Sequence, residues 1–220
     1  MSPQGADRGG RGLLITFEGP EGSGKTTLIR GVTERLAACG EEPLVLREPG
    51  GTALGERIRN ILLDPASEGM CAETELLLMV ASRAQLVREK IAPAIEAGMI
   101  VLCDRFADAS VAYQGFGREM GEKTVTPLNN LALGGVEPDL TLLCLLSPEE
   151  GHKRLQNRET DRLDRESLEF HRRVYEGYQT MARSGDLRFK VIDAAADPDT
   201  MLDETVAQLR RLEHGLLNYL

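Results

Sequence analysis

Leu13-Leu-Ile-Thr-Phe17-Glu-Gly19-Pro-Glu21-Gly22-Ser23-Gly24-Lys25-Thr26-Thr27 is a short apolar, partly β-branched run followed at once by a complete G-x-x-x-x-G-K-[ST] string. Residues 13–17 read as a buried strand. From Thr26 onward Leu28, Ile29, Val32, Leu36 and Ala37 recur at helical spacing, and Gly40 stands where a helix-ending glycine is expected. The glycines let the intervening loop bend so that its backbone N–H groups and the helix N-terminus converge on phosphate oxygens. Lys25 then neutralises the β and γ charges of a nucleoside triphosphate, and Thr26 offers a hydroxyl to Mg²⁺. Gly19, Glu21, Gly22, Ser23, Gly24, Lys25, Thr26 and Thr27 are the expected nucleotide-binding set. The strand, loop and helix in succession carry more weight than the string alone.

Working outward, apolar runs recur at 43–47, 100–103, 140–146 and 189–192, each separated from the next by helical patterns. Helices are expected at 54–63, at 73–95 with Pro93 kinking or ending the last turn, at 107–113, 126–133 and 167–182, and from Pro148 and Pro198 onward. Continuous apolar strands alternating with helices imply an α/β domain: a doubly wound, five-stranded parallel sheet with helices on both faces, of the P-loop NTPase type. In such sheets ligands bind beyond the carboxyl ends of the strands. A single domain over 13–220 is expected, preceded by a Gly-rich, polar tail at 1–12 that reads as mobile.

The composition narrows the partners. Of 220 residues, 41% are hydrophobic and 28% charged, with a formal net charge of −9. An acidic chain has no general attraction for nucleic acid or an anionic membrane, so bound phosphate must be held by a local site against the average field. No stretch reaches the roughly 18 apolar residues of a membrane span. Cys39, Cys71, Cys103 and Cys144 are widely spaced, without C-x-x-C or a His cluster, and read as reduced thiols of a cytoplasmic protein.

Cys103-Asp104-Arg105-Phe106 closes the third apolar run, which brings a carboxylate out at the sheet edge where Mg²⁺ and phosphates belong. Asp104 is thus the candidate metal partner of Thr26, and Arg105 faces a second, phosphate-bearing substrate. There is no N-K-x-D guanine signature.

Beyond the phosphate loop, Arg47-Glu-Pro-Gly-Gly-Thr52, Ala81-Ser-Arg83, Asp104-Arg105-Phe106, Ala112-Tyr-Gln-Gly115 and Arg162-Leu-Asp164 follow one another in an order and spacing that resembles the bacterial thymidylate kinases. The resemblance spans about residues 13–193 and implies an ATP- and Mg²⁺-dependent kinase acting on dTMP. It further implies that the base rests near Met79 and Arg83, with Arg83 donating to a thymine carbonyl, and that Ser110 and Gln114 meet the base edge. Tyr113 would lie against the deoxyribose, Glu21 would meet the 3′-hydroxyl, and Arg105, with Arg47, would fix the acceptor phosphate. The charged stretch within 157–165 resembles the family's lid. A phosphate loop without its own arginine goes, in that family, with catalytic arginines from the lid, here Arg158 and Arg162 beside Lys25 and Arg105. Relatives pair into homodimers through helices, and the 73–95 helix offers an apolar face. Two positions depart from the pattern: Met79 replaces a stacking phenylalanine, and Leu145 stands where relatives often carry aspartate. A kinase for another pyrimidine monophosphate and a nucleotide-binding regulatory protein with little turnover remain the alternatives.

Overall fold

The computed structural model describes residues 10–155, 160–212, 214–217 and 220. In chain order the elements are β1 (Leu13–Glu18), α1 (Lys25–Ala38), β2 (Leu44–Arg47), α2 (Ala53–Leu63), α3 (Ala72–Leu86), α4 (Ala92–Glu96), β3 (Ile100–Asp104), α5 (Ala107–Ser110), α6 (Glu122–Leu133), β4 (Leu140–Leu145), α7 (Pro148–Leu155), α8 (Leu168–Ala182), β5 (Phe189–Asp193) and α9 (Pro198–Arg210). All strand pairs are parallel, in the order β2-β3-β1-β4-β5. The chain winds first to one side of β1 and then to the other, so the carboxyl end of β1 is the point where the winding direction switches. A crevice opens at such a point.

β1 is buried throughout, and its side chains divide by parity. Leu13, Ile15 and Phe17 pack with Leu28, Val32 and Leu36 of α1 and with Met201 and Leu209 of α9. Leu14 joins Leu46, Val101 and Cys103 under Leu86, Val87, Ile91 and Ile95 on the opposite face. Of the two polar residues in β1, Thr16 and Glu18, Thr16 shares a 2.8 Å hydrogen bond with Thr141 of β4, which satisfies two buried hydroxyls at once. Register aligns Phe17 and Arg47 with Asp104, so the side chains that matter leave the sheet at one level.

The long helix expected at 73–95 is broken differently from the reading above. α3 widens into a turn of π type over Val87–Ile91, and Pro93 falls in the first turn of α4, where its missing N–H costs nothing. The helix expected at 107–113 likewise continues past α5 as a wide turn over Val111–Gly117 that packs along α8. α6 begins at Glu122, earlier than expected, because Gly121 at φ 78° ends the preceding turn and lets the helix start ahead of Pro127. Of the expected tail, residues 1–9 lie outside the described residues. Arg11 and Gly12 are held: Arg11 Nη1 donates to Asp139 at 2.7 Å, and Gly12 N to the Ile95 carbonyl at 2.8 Å.

Candidate active site

The loop between β1 and α1 wraps tightly against its neighbours. Gly19, at φ 140°, lies so close to the Cys144 carbonyl of β4 that a Cβ there would collide with it. Gly24, at φ 82°, begins α1 and has no side chain to cap the helix, so the first-turn N–H groups face the loop. Lys25 is buried; its Nζ donates to the carbonyls of Gly19 at 3.0 Å and Pro20 at 2.9 Å and to Ser23 Oγ at 3.2 Å. Burial, and after it the charge of Arg105, lowers the ammonium pKa, against the pull of Glu21 and Asp104. Thr26 Oγ1 donates to Asp104 Oδ2 at 3.2 Å, which joins α1 to the end of β3. These oxygens are hard donors of the kind Mg²⁺ takes.

Arg105 follows β3 in a left-handed conformation, φ 67°, rare for a residue with a side chain. Four contacts fix its guanidinium: the Gly19 carbonyl at 2.8 Å, Glu21 Oε1 at 2.5 Å, Tyr113 Oη at 3.0 Å and Tyr178 Oη at 3.1 Å. It also lies over the Tyr113 ring, 4.9 Å from the centroid. A fork of N–H groups therefore stands between the phosphate loop and the tyrosine expected beside the sugar.

From there a cavity of about 400 Å³ runs from Lys25 and Thr26 past Asp104 and Arg105 to Met79, Arg83, Ser110, Tyr113 and Gln114. Arg47 lines it and is half exposed, with Nη2 on Glu56 at 3.0 Å. Arg83, on α3, is buried and heavily committed. Nε donates to Glu48 Oε2 at 2.8 Å, Nη1 to Ser110 Oγ at 3.0 Å and Asn129 Oδ1 at 2.7 Å, and Nη2 to the Phe106 carbonyl at 2.9 Å and Glu48 Oε2 at 2.6 Å. These contacts match the guanidinium's full set of N–H groups. Arg83 stands in the cavity wall as a braced cation, at the end of the cavity where the resemblance puts the base.

Of the arginines expected from the lid, Arg158 lies outside the described residues. Arg162 turns away from the phosphate loop: Nε donates to the Leu62 carbonyl at 2.8 Å and Nη2 to Glu75 Oε2 at 2.6 Å, and the cavity is lined by its neighbours Asp161 and Leu163 instead. Two arginines that sequence reasoning missed also line the cavity. Arg154, in the last turn of α7, donates to the Gly22 carbonyl at 3.2 Å, and Arg59, on α2, donates to the Pro49 carbonyl at 2.9 Å. Neither lies in a motif. The one sequence signal for Arg154 is its place just before the charged stretch.

Comparisons with known proteins agree with this geometry. The family model described as Thymidylate kinase matches residues 17–204. Thymidylate kinase of Desulfovibrio desulfuricans is 44% identical, over 93% of this chain and 100% of that one. The protein of the same name from Thermoanaerobacter sp. (strain X514) is 50% identical, over 83% of this chain and 90% of its own. The crystal structure of thymidylate kinase from Ehrlichia chaffeensis superposes with a TM-score of 0.74 at 31% identity, covering 91% of this chain and 99% of that one. With its phosphate loop, its sheet order and these similarities, the chain belongs to the thymidylate kinase family.

Proposed function

We infer that the chain transfers the γ-phosphate of ATP to dTMP, giving ADP and dTDP on the way to dTTP. The observation that carries this reading is the continuity of the cavity: one lining takes in Lys25 and the N-terminus of α1, Arg105, and a recess beside Met79, Ser110 and Gln114. A triphosphate on the loop and a monophosphate under Arg105 would meet phosphate to phosphate.

The acceptor is a phosphate oxygen already ionised at neutral pH, so no general base is needed, and catalysis rests on positioning and charge. The N–H groups of the loop and α1 hold the β-phosphate, and Lys25 swings from the loop carbonyls onto the transferring group. Arg105 turns from Glu21 to the acceptor phosphate, and the Glu21 carboxylate accepts from the 3′-hydroxyl, while Tyr113 backs the sugar. Thr26 and Asp104 would hold Mg²⁺, whose bound charge would offset that of the phosphates. Among the described residues no group of three or more His, Cys, Asp or Glu side chains gathers as a metal cage, which suits a Mg²⁺ carried mainly by phosphate and water. Arg154 and Arg158 are the basic groups of α7 and the following stretch that would screen the γ-phosphate; Arg162 serves instead to anchor that stretch to α3.

Two further readings accompany this one. A homodimer would form through the outer face of α3, where Leu77 is 56% exposed, alongside Leu131 of α6, 74% exposed. A cytoplasmic location accords with four widely spaced cysteines that form no C-x-x-C pair and with no helix among the described residues long and apolar enough to cross a membrane.

The test is product analysis. With ATP, Mg²⁺ and dTMP, equal amounts of ADP and dTDP are expected, with loss of both on chelation or in Lys25→Ala. ADP without dTDP would overturn the reading.

A further inference from the structure

Glu75 sits on α3 one turn before Met79 and two before Arg83, but behind the cavity wall, not on it. It is fully buried, and both its oxygens are engaged. Oε1 accepts from Gln114 Nε2 at 2.8 Å and Arg118 Nε at 3.1 Å, while Oε2 accepts from Arg118 Nη2 at 2.8 Å and Arg162 Nη2 at 2.6 Å. Burial alone would raise the pKa of such a carboxyl, but the hydrogen bonds from Arg118, Gln114 and Arg162 outweigh it and hold the group below the usual carboxylate range. Near neutral pH Glu75 is therefore ionised, and an ionised carboxylate can only accept. That fixes Gln114. Its amide nitrogen must face Glu75, because the opposite orientation would press a carbonyl oxygen against a buried carboxylate oxygen. The carbonyl end of Gln114 is left for the cavity, which Gln114 lines beside Met79 and Ser110.

We propose that Glu75 is a positioning residue that sets the hydrogen-bond polarity of the base recess. By taking the amide N–H of Gln114 it points an acceptor at the bound base, and so selects pyrimidines whose ring nitrogen N3 carries a hydrogen, thymine and uracil, over cytosine, whose N3 is itself an acceptor. The proposal rests on reading that end of the cavity as the site of the nucleobase. The arginines give the carboxylate its charge, and Glu166, 2.5 Å from Arg118 Nη2, steadies the arrangement from the far side.

Dissociation constants of dTMP and dCMP for the full chain, measured by calorimetry beside turnover, test it. The wild-type chain is expected to favour dTMP by at least about tenfold, the scale of one mismatched base-edge hydrogen bond. In Glu75→Gln the new amide can offer its own N–H, Gln114 is free to turn over, and the preference should shrink by about the same factor while ATP affinity holds. Gln114→Met leaves Glu75 with its arginines, so its fold does not hinge on the carboxylate; there dTMP and dCMP should bind with similar affinity. An equal loss for both nucleotides in Glu75→Gln, retained discrimination in Gln114→Met, or a wild-type chain that binds dCMP as well as dTMP would each overturn the proposal. A wild-type chain that prefers dTMP in binding but makes no dTDP would sink the kinase reading and still support the role of Glu75.

Discussion

Arg105 holds a left-handed backbone that costs a side-chain-bearing residue about 1–3 kcal/mol, and its four side-chain contacts are what the conformation secures. A lysine would keep the charge without the planar fork. Arg105→Lys should therefore lower kcat/KM for dTMP about a hundredfold, some 2.7 kcal/mol, chiefly through the monophosphate, and steady-state kinetics with each substrate varied would read it. Next to this site, Glu18 is buried under the backbone N–H groups of Phe106 and Ala109 and the Tyr178 hydroxyl. Burial, and then the Asp108 charge, pushes its pKa up to about 8. Its pKa is thus higher folded than unfolded, so its stabilising contribution is full below the ordinary value near 4.5 and is lost as pH rises through about 8. The melting temperature of the wild-type chain should fall between pH 5 and 9, and that of Glu18→Gln should fall less; parallel profiles would contradict this. That Lys25, Thr26 and Asp104 come together at one cavity was legible in the sequence, because their places follow from a strand end and a helix start. The pairings of Arg83 and Arg162 were not, because their acceptors Glu48 and Glu75 lie 35 and 87 residues away along the chain. Nothing local announces such a pairing.

At the scale of elements, the strands were legible as apolar runs, since a strand buried on both faces carries its signal in itself. The wide turns at Val87–Ile91 and Val111–Gly117 were not, because tertiary packing decides them. The second turn lies along α8, and the fit is close: a Cβ on Gly117 would stand 2.7 Å from Phe170 Cε2 and 2.9 Å from Val174 Cγ2. Gly117→Ala should cost about 1–3 kcal/mol by overpacking, read as a lowered denaturation midpoint. Because the same turn carries Tyr113 and Gln114, dTMP affinity should fall with it while ATP affinity is spared. An unchanged midpoint would show that α8 yields more readily than its packing implies.

For the whole molecule, the sequence allowed a parallel sheet and a phosphate loop but not the strand order, which places β3 and β4 on either side of β1 and opens the crevice between them. Association is a property of the same scale. If two chains pair through α3, sedimentation should find a dimer that Leu77→Glu converts to monomer with its melting behaviour intact; a wild-type monomer would refute that interface. The central claim is that one cavity seats both nucleotides with their phosphates facing. The most direct test is the affinity of a single molecule in which adenosine and thymidine are joined 5′ to 5′ through a polyphosphate chain. Bound across the cavity, it should exceed the affinity of either ATP or dTMP by about a hundredfold or more, and Arg105→Lys should remove most of that gain. Binding no tighter than ATP alone would mean that the two sites do not share the cavity, and would contradict the account.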